Sequence, residues 1–534
     1  MKKKIARIIC SALCLALFAG VFAACGCKST PVNPDNTDPP EPTDEPEVLS
    51  GYETAALIEI PTTPNAAKLD GLGVEWDPHF FRSTVSSNKK FATDENWNIV
   101  SERTKYLGID KARVWCMPSW YEKRNDNKDP KVIDWESKAL NFDSNDFKAL
   151  RKELDLLQEA GVEVTLTLWG CEASYWLACR NTGDWVTAPN DIEEYAETVS
   201  ILLQYLLNTC GYTCITGFTP MNEPNLAWRV DGGAIDQTHY INTCKAVDQR
   251  LKDDGIRDKI KLVLSDDSTN NHDWFKRNTI ELKGIADSFA YHTYLFNETS
   301  DPQAMFDFAK DRYDLMNENS PGVPVTVNEF GSNYNVGAYI QTDVDNYDRG
   351  IYYSTIAEQY LSAGMSGMLH WCYFDVFYSN GEDFRMKLGL FKFADQGFAT
   401  RPFYYSWGMI MKYTERGSDI FKVNVVERDS NGNVVANSGN LSAVAFRSPA
   451  GKWTYLVTNR SKTDPIKVQI VNQNAKTPDL KAHVYNEANV NARMGSEDEA
   501  MLIGADESAI EKIIGSSTFL ELQPNTFVLI TDME

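Results

Sequence analysis

Met221-Asn222-Glu223-Pro224-Asn225 follows an apolar run at residues 214–220 (CITGFTP), and Val327-Asn328-Glu329-Phe330-Gly331 completes a second run that begins at residue 323 (VPVTV). Short apolar runs bounded by Pro, Gly and Asn read as buried strands. Each of these two ends in a glutamate. On either side of them the same pattern recurs: apolar strand, loop, amphipathic helix. Further strands are expected at residues 69–76, 108–115, 162–169, 259–265, 287–294 and 367–373. Between them, helices are expected at residues 94–107, 191–207, 236–252, 272–282, 301–317 and 346–363. Another begins after Ser144, which can cap it, with Leu150, Leu154 and Leu157 on one face. Pro402 starts a last helix at a position that proline favours. Eight strands alternating with helices make an α/β fold, a (β/α)8 TIM barrel, with residues 56–415 assigned to it. The rival doubly wound sheet lacks its signature, because no Gly-rich phosphate loop follows any early strand.

After residue 416 the texture changes to short strands at residues 422–427, 441–446, 453–458, 466–471 and 518–522, with turns at Asn431-Gly432 and Ala450-Gly451. Residues 416–534 therefore read as a C-terminal all-β sandwich. Two roles compete for it: a packing partner for the barrel, or a separate sugar-binding module.

The N-terminus carries Lys2, Lys3, Lys4 and Arg7 and then an apolar stretch over residues 8–24, the pattern of a secretory leader. Phe22-Ala23-Ala24-Cys25 resembles a bacterial lipobox, which implies lipidation at Cys25, a signal peptide over residues 1–25 and a lipid-anchored protein on the bacterial cell surface. Residues 26–55 are dominated by Pro and acidic side chains and read as a disordered tether. A formal net charge of −23 argues against nucleic acid as a partner, whereas a neutral polysaccharide meets no such penalty. The 43% hydrophobic and 24% charged content is that of a soluble globular protein, and 534 residues suffice for two domains with extensions. Cys171 with Cys179 and Cys210 with Cys214 are spaced to be bridged, buried free thiols being the default. No zinc, calcium, nucleotide or flavin motif is present, so neither a cofactor nor a metal is expected.

Catalytic groups of a TIM barrel sit at the C-terminal ends of its strands. Glu223 and Glu329 occupy such ends on the fourth and seventh strands. Two carboxyls so placed, brought together only by closure of the barrel, suit glycosidic bond cleavage as acid/base and nucleophile. On that reading Glu329 must be ionised, with Arg113 holding its pKa down and Tyr294 donating to it, while its charge raises the pKa of Glu223.

These residues carry a family resemblance over residues 69–415. Asn222-Glu223-Pro224 resembles the acid/base signature of clan A, the retaining glycoside hydrolases on (β/α)8 barrels. Glu329-Phe330-Gly331 resembles the nucleophile signature of the family 5 cellulases and mannanases, and Asn222-Glu223-Pro224-Asn225 is also similar to family 39. The family 5 pattern further matches Arg113 on the second strand, His292-Thr293-Tyr294 on the sixth and Trp371 on the eighth. The chain departs from it at residues 168–170 (LWG), where family 5 has a His, and at its opening residues 71–77 (GLGVEWD). The resemblance implies a retaining β-glycoside hydrolase acting on a mannan- or glucan-type oligo- or polysaccharide. Asn222 would then bond the hydroxyl next to the reacting carbon, Trp371 would floor that sugar, and His292 would be a polar contact near the acid/base. Glu75, Asp77, Trp169, Asp266 and Asp267 at strand ends, and Trp115, Trp120, Trp176, Trp185 and Trp228 in loops, are further candidates for the rim. An exo-acting β-glycosidase and a transglycosylase use the same residues. A non-catalytic glycan-binding surface lipoprotein is the rival from another class.

Overall fold

Eight apolar segments close on themselves. A computed structural model describes residues 55–82, 85–268, 271–333, 343–381, 384–429, 431–475 and 479–534. The expected leader, Cys25 and residues 26–54 of the tether lie outside the described residues. The barrel strands are Gly71–Trp76, Lys111–Cys116, Glu163–Leu168, Ile215–Thr219, Lys261–Asp267, Ser288–Thr293, Val325–Phe330 and Gly367–His370, joined in chain order into one closed parallel barrel. All eight expected strands form, with ends displaced by up to a few residues. Parallel pairing sets Glu75 beside Arg113 and Arg113 beside Thr165, so these side chains share one face of the sheet.

The helices begin where short polar side chains replace the missing backbone partners. Thr93 accepts from Asn96 N at the start of Asp94–Leu107, Ser144 from Phe147 N at Asn145–Ala160, and Asp191 from Glu193 N at Ile192–Gln204. Asp236 and Asp301 do the same for Gln237–Asp253 and Pro302–Asn319. Asp348–Ala363 and Pro402–Lys412 are buried along most of their lengths, because the C-terminal domain covers what would otherwise be an outer face. Among the described residues no helix is long and apolar enough to cross a membrane.

The C-terminal region is two five-stranded sheets. One runs Asp419–Phe421, Leu441–Arg447, Trp453–Asn459, Thr526–Thr531, Lys481–Tyr485 in spatial order. Its side chains alternate. Val444, Phe446, Leu456, Phe527 and Leu529 join the barrel core, whereas Ala443, Ala445, Tyr455, Val457, Val528 and Ile530 join the core between the sheets. The second sheet is Asn424–Glu427, Ala56–Glu59, Ile466–Val471, Ser517–Leu522 and Lys512–Ile514.

One boundary is corrected. Residues 56–59, assigned to the barrel from the sequence, form a sandwich strand, antiparallel to Asn424–Glu427 and parallel to Ile466–Val471. Ala56 and Ile58 fill the inter-sheet core. Strands Lys481–Tyr485, Lys512–Ile514 and Thr526–Thr531 also join the sandwich without having been expected. The expected run at residues 422–427 forms Asn424–Glu427, and Asp419–Phe421 just before it is a further, unexpected strand that lies in the other sheet. Cys116, Cys171, Cys179, Cys210, Cys214, Cys244 and Cys372 are free thiols, so neither spacing is a bridge.

Glu358 ties the two domains together. It is fully buried on Asp348–Ala363, its Oε1 accepting from Thr458 Oγ1 at 2.7 Å and its Oε2 from Ser442 Oγ of the sandwich. Burial pushes this carboxyl from 4.5 up to about 8 against the pull of the two hydroxyls. Its folded pKa thus exceeds its unfolded one. Between the two values the unfolded chain binds fewer protons, and stability is lost as pH rises through that window. We expect Glu358→Gln to gain thermal stability relative to wild type as pH is raised from 5 to 8. A difference in Tm that does not change with pH would refute the buried acid's role.

Candidate active site

At the C-terminal mouth of the barrel, Glu223, His292 and Glu329 converge. One carboxylate oxygen of each glutamate and a ring nitrogen of His292 lie within 4.8 Å of one another. Backbone irregularities put them there. Glu223 ends the fourth-strand segment in the left-handed region (φ 42°, ψ 56°) and starts the short helix Pro224–Ala227. Ser265 (φ 77°) and Asp266 (φ 44°) share that region, and the fifth strand slips register against the sixth between Ser265 and Asp267. The seventh slips between Val327 and Glu329. Such bulges re-aim side chains, and non-glycine residues held at positive φ concentrate at functional sites. Glu223 N donates to Asp266 O at 3.1 Å, and Asn225 is bonded twice to Ser268, so the turn after the fourth strand is pinned to the fifth. Asn225 is thus a structural member of its motif.

Arg113 is the hub. It is fully buried, and its Nη2 donates to Asn222 Oδ1 (2.6 Å) and Asp266 Oδ2 (2.7 Å) while Nη1 donates to Glu75 Oε2 (3.0 Å) and Glu329 Oε2 (3.4 Å). His292 stands opposite. Its Nδ1 is 3.1 Å from Glu223 Oε1 and 3.4 Å from Glu329 Oε2, and its Nε2 is 3.2 Å from Asp266 Oδ1. Tyr294 donates to Glu329 Oε1 at 2.7 Å. A Cβ on Gly331 would lie 2.6 Å from the Tyr294 ring, so the glycine of Glu329-Phe330-Gly331 makes room for that donor.

The charges follow from this geometry. Burial opposes ionisation of Asp266, but Arg113 and His292 hold its pKa at about 2. Burial likewise opposes the imidazolium of His292, and Glu329 and Asp266 outweigh it, raising His292 well above the usual histidine range. Glu75 is fully buried, its Oε1 has no hydrogen-bond partner among the described residues, and burial raises its carboxyl well above the usual range against the pull of Arg113. Glu329 differs from expectation. Burial raises its carboxyl, His292 opposes, Glu223 adds to the rise, and Arg113 does not reverse it. The guanidinium makes its shorter contacts to Glu75, Asn222 and Asp266. Four carboxyls therefore share two cations. The Glu223–His292–Glu329 spacing also matches a cation site, but the positive charges of Arg113 and His292 oppose a metal ion there.

Beside this centre lies a cleft of about 490 Å³. Trp371 (8% exposed) lines it, its ring 6.0 Å from Trp169; Trp169 joins cleft and centre, 5.0 Å from Trp115 and under the Arg113 guanidinium at 5.9 Å. Trp185 also lines this cleft. Five residues that the sequence reading passed over line it too: His79, Arg82, Met117, Glu172 and Tyr378. Only the Asp77-x-His79 spacing after the first strand signalled any of them. Other candidates belong elsewhere. Trp228 is core: it is fully buried, donates to His239 Nδ1 at 2.9 Å and packs edge-on against Tyr195 and Tyr240. Asp267 faces Ser265 and Arg312, Asp77 faces His79, and Trp120 packs under Trp115 and Arg82. Trp176 is half-buried against Tyr175.

No family model matches the chain, and no curated protein matches it in sequence. Solved structures do match in fold. The chain is similar to the catalytic domain of a GH30 xylanase C from Talaromyces cellulolyticus (TM-score 0.60, 13% identity, 90% of this chain and 100% of that one). It is similar to a family 51 α-L-arabinofuranosidase from Bifidobacterium longum (TM-score 0.61, 12% identity, 90% and 100%) and to an endo-β1,6-glucanase (TM-score 0.59, 11% identity, 91% and 94%). What the chain shares with these structures is the fold: a closed eight-stranded barrel with a sheet-rich C-terminal region.

Asp266 anchors the charge pattern. With isotopically labelled histidine, we expect His292 to remain protonated through neutral pH in the wild type by NMR. In Asp266→Asn its titration should move down toward the ordinary histidine range. An unshifted titration would show that Glu329 alone holds the proton.

Proposed function

We propose that the protein is a retaining β-glycoside hydrolase that cleaves a β-linked oligo- or polysaccharide of mannan or glucan type, with Glu223 as acid/base and Glu329 as nucleophile. One observation carries the reading. The two carboxyls approach within 4.8 Å, with His292 touching both. Retaining glycosidases place their carboxyls about 5 Å apart, whereas inverting ones leave a wider gap for a water molecule.

Each neighbour then has a task. Glu329 attacks the anomeric carbon as the glycosidic C–O bond breaks, and Glu223 delivers its proton to the departing oxygen. His292, Arg113 and Tyr294 supply the counter-charge and the hydrogen bond that oppose the rise burial and Glu223 impose on Glu329, and so favour its anion before attack. Esterification removes that negative charge. The His292 cation is then left facing the newly ionised Glu223, which takes a proton from water as the water attacks the same carbon and releases Glu329. Asn222 Oδ1 is held by Arg113, which turns the amide nitrogen outward as a donor to the sugar hydroxyl beside the reacting carbon. Trp371 gives that sugar an apolar floor.

The fold is shared by proteins named for xylan, α-L-arabinofuranoside and β1,6-glucan chemistry, so the barrel by itself does not choose the sugar. A purely glycan-binding protein has no use for two carboxyls held beside two buried cations.

Glu223→Ala and Glu329→Ala should each lower kcat on β-linked polysaccharides or aryl β-glycosides by about 10³-fold or more. Wild-type turnover in either variant sinks the assignment. A fluorosugar should label Glu329, and the first product seen by NMR should keep the β configuration; an inverted anomer would refute retention. We also propose that the chain is lipid-anchored at the bacterial surface through Cys25. Cys25→Ala should release it into the medium, and a variant that stays cell-bound would exclude that anchor.

A further inference from the structure

Trp185 is 59% exposed, although leaving so much apolar surface in water is costly. It does not sit on a slack loop. It borders a hairpin in which Cys171–Glu172 pairs with Val186–Thr187. Its carbonyl accepts from Ala173 N at 2.8 Å, and its own N–H donates to Asp184, which is paired with Arg229. A rigidly presented, exposed tryptophan at the edge of a cleft is a platform waiting for a flat apolar face.

The cleft that it borders adjoins the two-glutamate centre through Trp169, which lines it and lies under the Arg113 guanidinium at 5.9 Å. Among the described residues its walls come from the segments at the ends of the first, second, third and eighth barrel strands, and none comes from the fourth, fifth or sixth. Glu223 stands at the end of the fourth. The leaving group departs on the side of the acid that protonates it, so the sugar retained on Glu329 extends the other way, into this cleft.

Polar groups held in place stand among the aromatic walls, and Arg82 is the cation among them. Arg82 donates through Nε to Asp146 (2.9 Å) and through Nη1 to His79 Nε2 (2.8 Å), while His79 Nδ1 donates to Asp77 (2.8 Å). Its guanidinium lies 4.9 Å over Trp120. Fixed in this way, it keeps N–H groups for hydroxyls at the cleft, the donor that a pyranose stacked on tryptophan requires.

We propose that this cleft binds a run of β-linked pyranose units on the glycone side of the cleaved bond, and that the enzyme therefore cuts within saccharide chains instead of removing single terminal sugars. The inference rests on the glycosidase reading above and deepens it.

The test uses 4-nitrophenyl β-glycosides of glucose, mannose and xylose and of their β-1,3-, β-1,4- and β-1,6-linked di- and trisaccharides. For the accepted sugar, wild-type kcat/KM should rise with each unit added on the glycone side. Trp185→Ala should lower kcat/KM on the trisaccharide about tenfold, the loss of one stacking platform. Trp135→Ala, which removes another exposed tryptophan (43%) away from the cleft, should leave the length dependence intact. Equal kcat/KM at all three lengths, or a Trp185→Ala variant that behaves as wild type, overturns the cleft assignment while the two-glutamate reading stands. No turnover of any glycoside by the wild type overturns both.

Discussion

Everything at the barrel mouth depends on one buried cation. A guanidinium fully removed from water carries a desolvation penalty of several kcal/mol, offset only by close and well-directed anions. Arg113 has them: Asp266 and Glu75 as carboxylate neighbours, Asn222 as a neutral acceptor and Glu329 at the edge of reach. Asp266 then does double duty, because its second oxygen faces His292 and also accepts from Asn328 Nδ2 at 3.1 Å. Each partner limits the freedom of the next. Fixing Arg113 fixes the Asn222 amide; fixing Asp266 fixes the imidazole; and the imidazole sets the distance between Glu223 and Glu329. Losing one carboxylate would strand a buried charge, which costs about 3–5 kcal/mol.

The scaffold supplies the rigidity that such a network needs. Left-handed residues at 223, 265 and 266 each cost about 1–3 kcal/mol and persist only where their surroundings over-determine them. Closure of the barrel, the Asn225–Ser268 pair and the register slips of the fifth and seventh strands provide that constraint. The sandwich contributes from behind. Its inner sheet is apolar on both faces and packs on Asp348–Ala363, the helix between the strands that bear Glu329 and Trp371. The outward segments of the first, second, third and eighth strands are freed from this duty and build the aromatic cleft.

The chain itself determined the barrel, the order of its strands and the two glutamates. Those follow from local physics: apolar period, capping side chains, and turn residues that end one strand before the next helix. Arg113, His292, Tyr294 and Trp371 were marked by the resemblance to the family 5 pattern, and Asn222 by its place beside Glu223; Arg113 itself lies inside Lys111–Cys116 and not at its end. Tertiary structure alone decided the rest. Tryptophans in loops carry no local sign of their fate, and Trp228 became core while Trp185 became a cleft rim because burial depends on what packs against them from elsewhere. Ala56–Glu59 is too short to announce its sheet, and its partners lie hundreds of residues away. The charge states were equally hidden. Whether Arg113 depresses Glu329 depends on how many other acids share that guanidinium and how completely water is excluded, and both are set by pairings between strands that are distant in the chain.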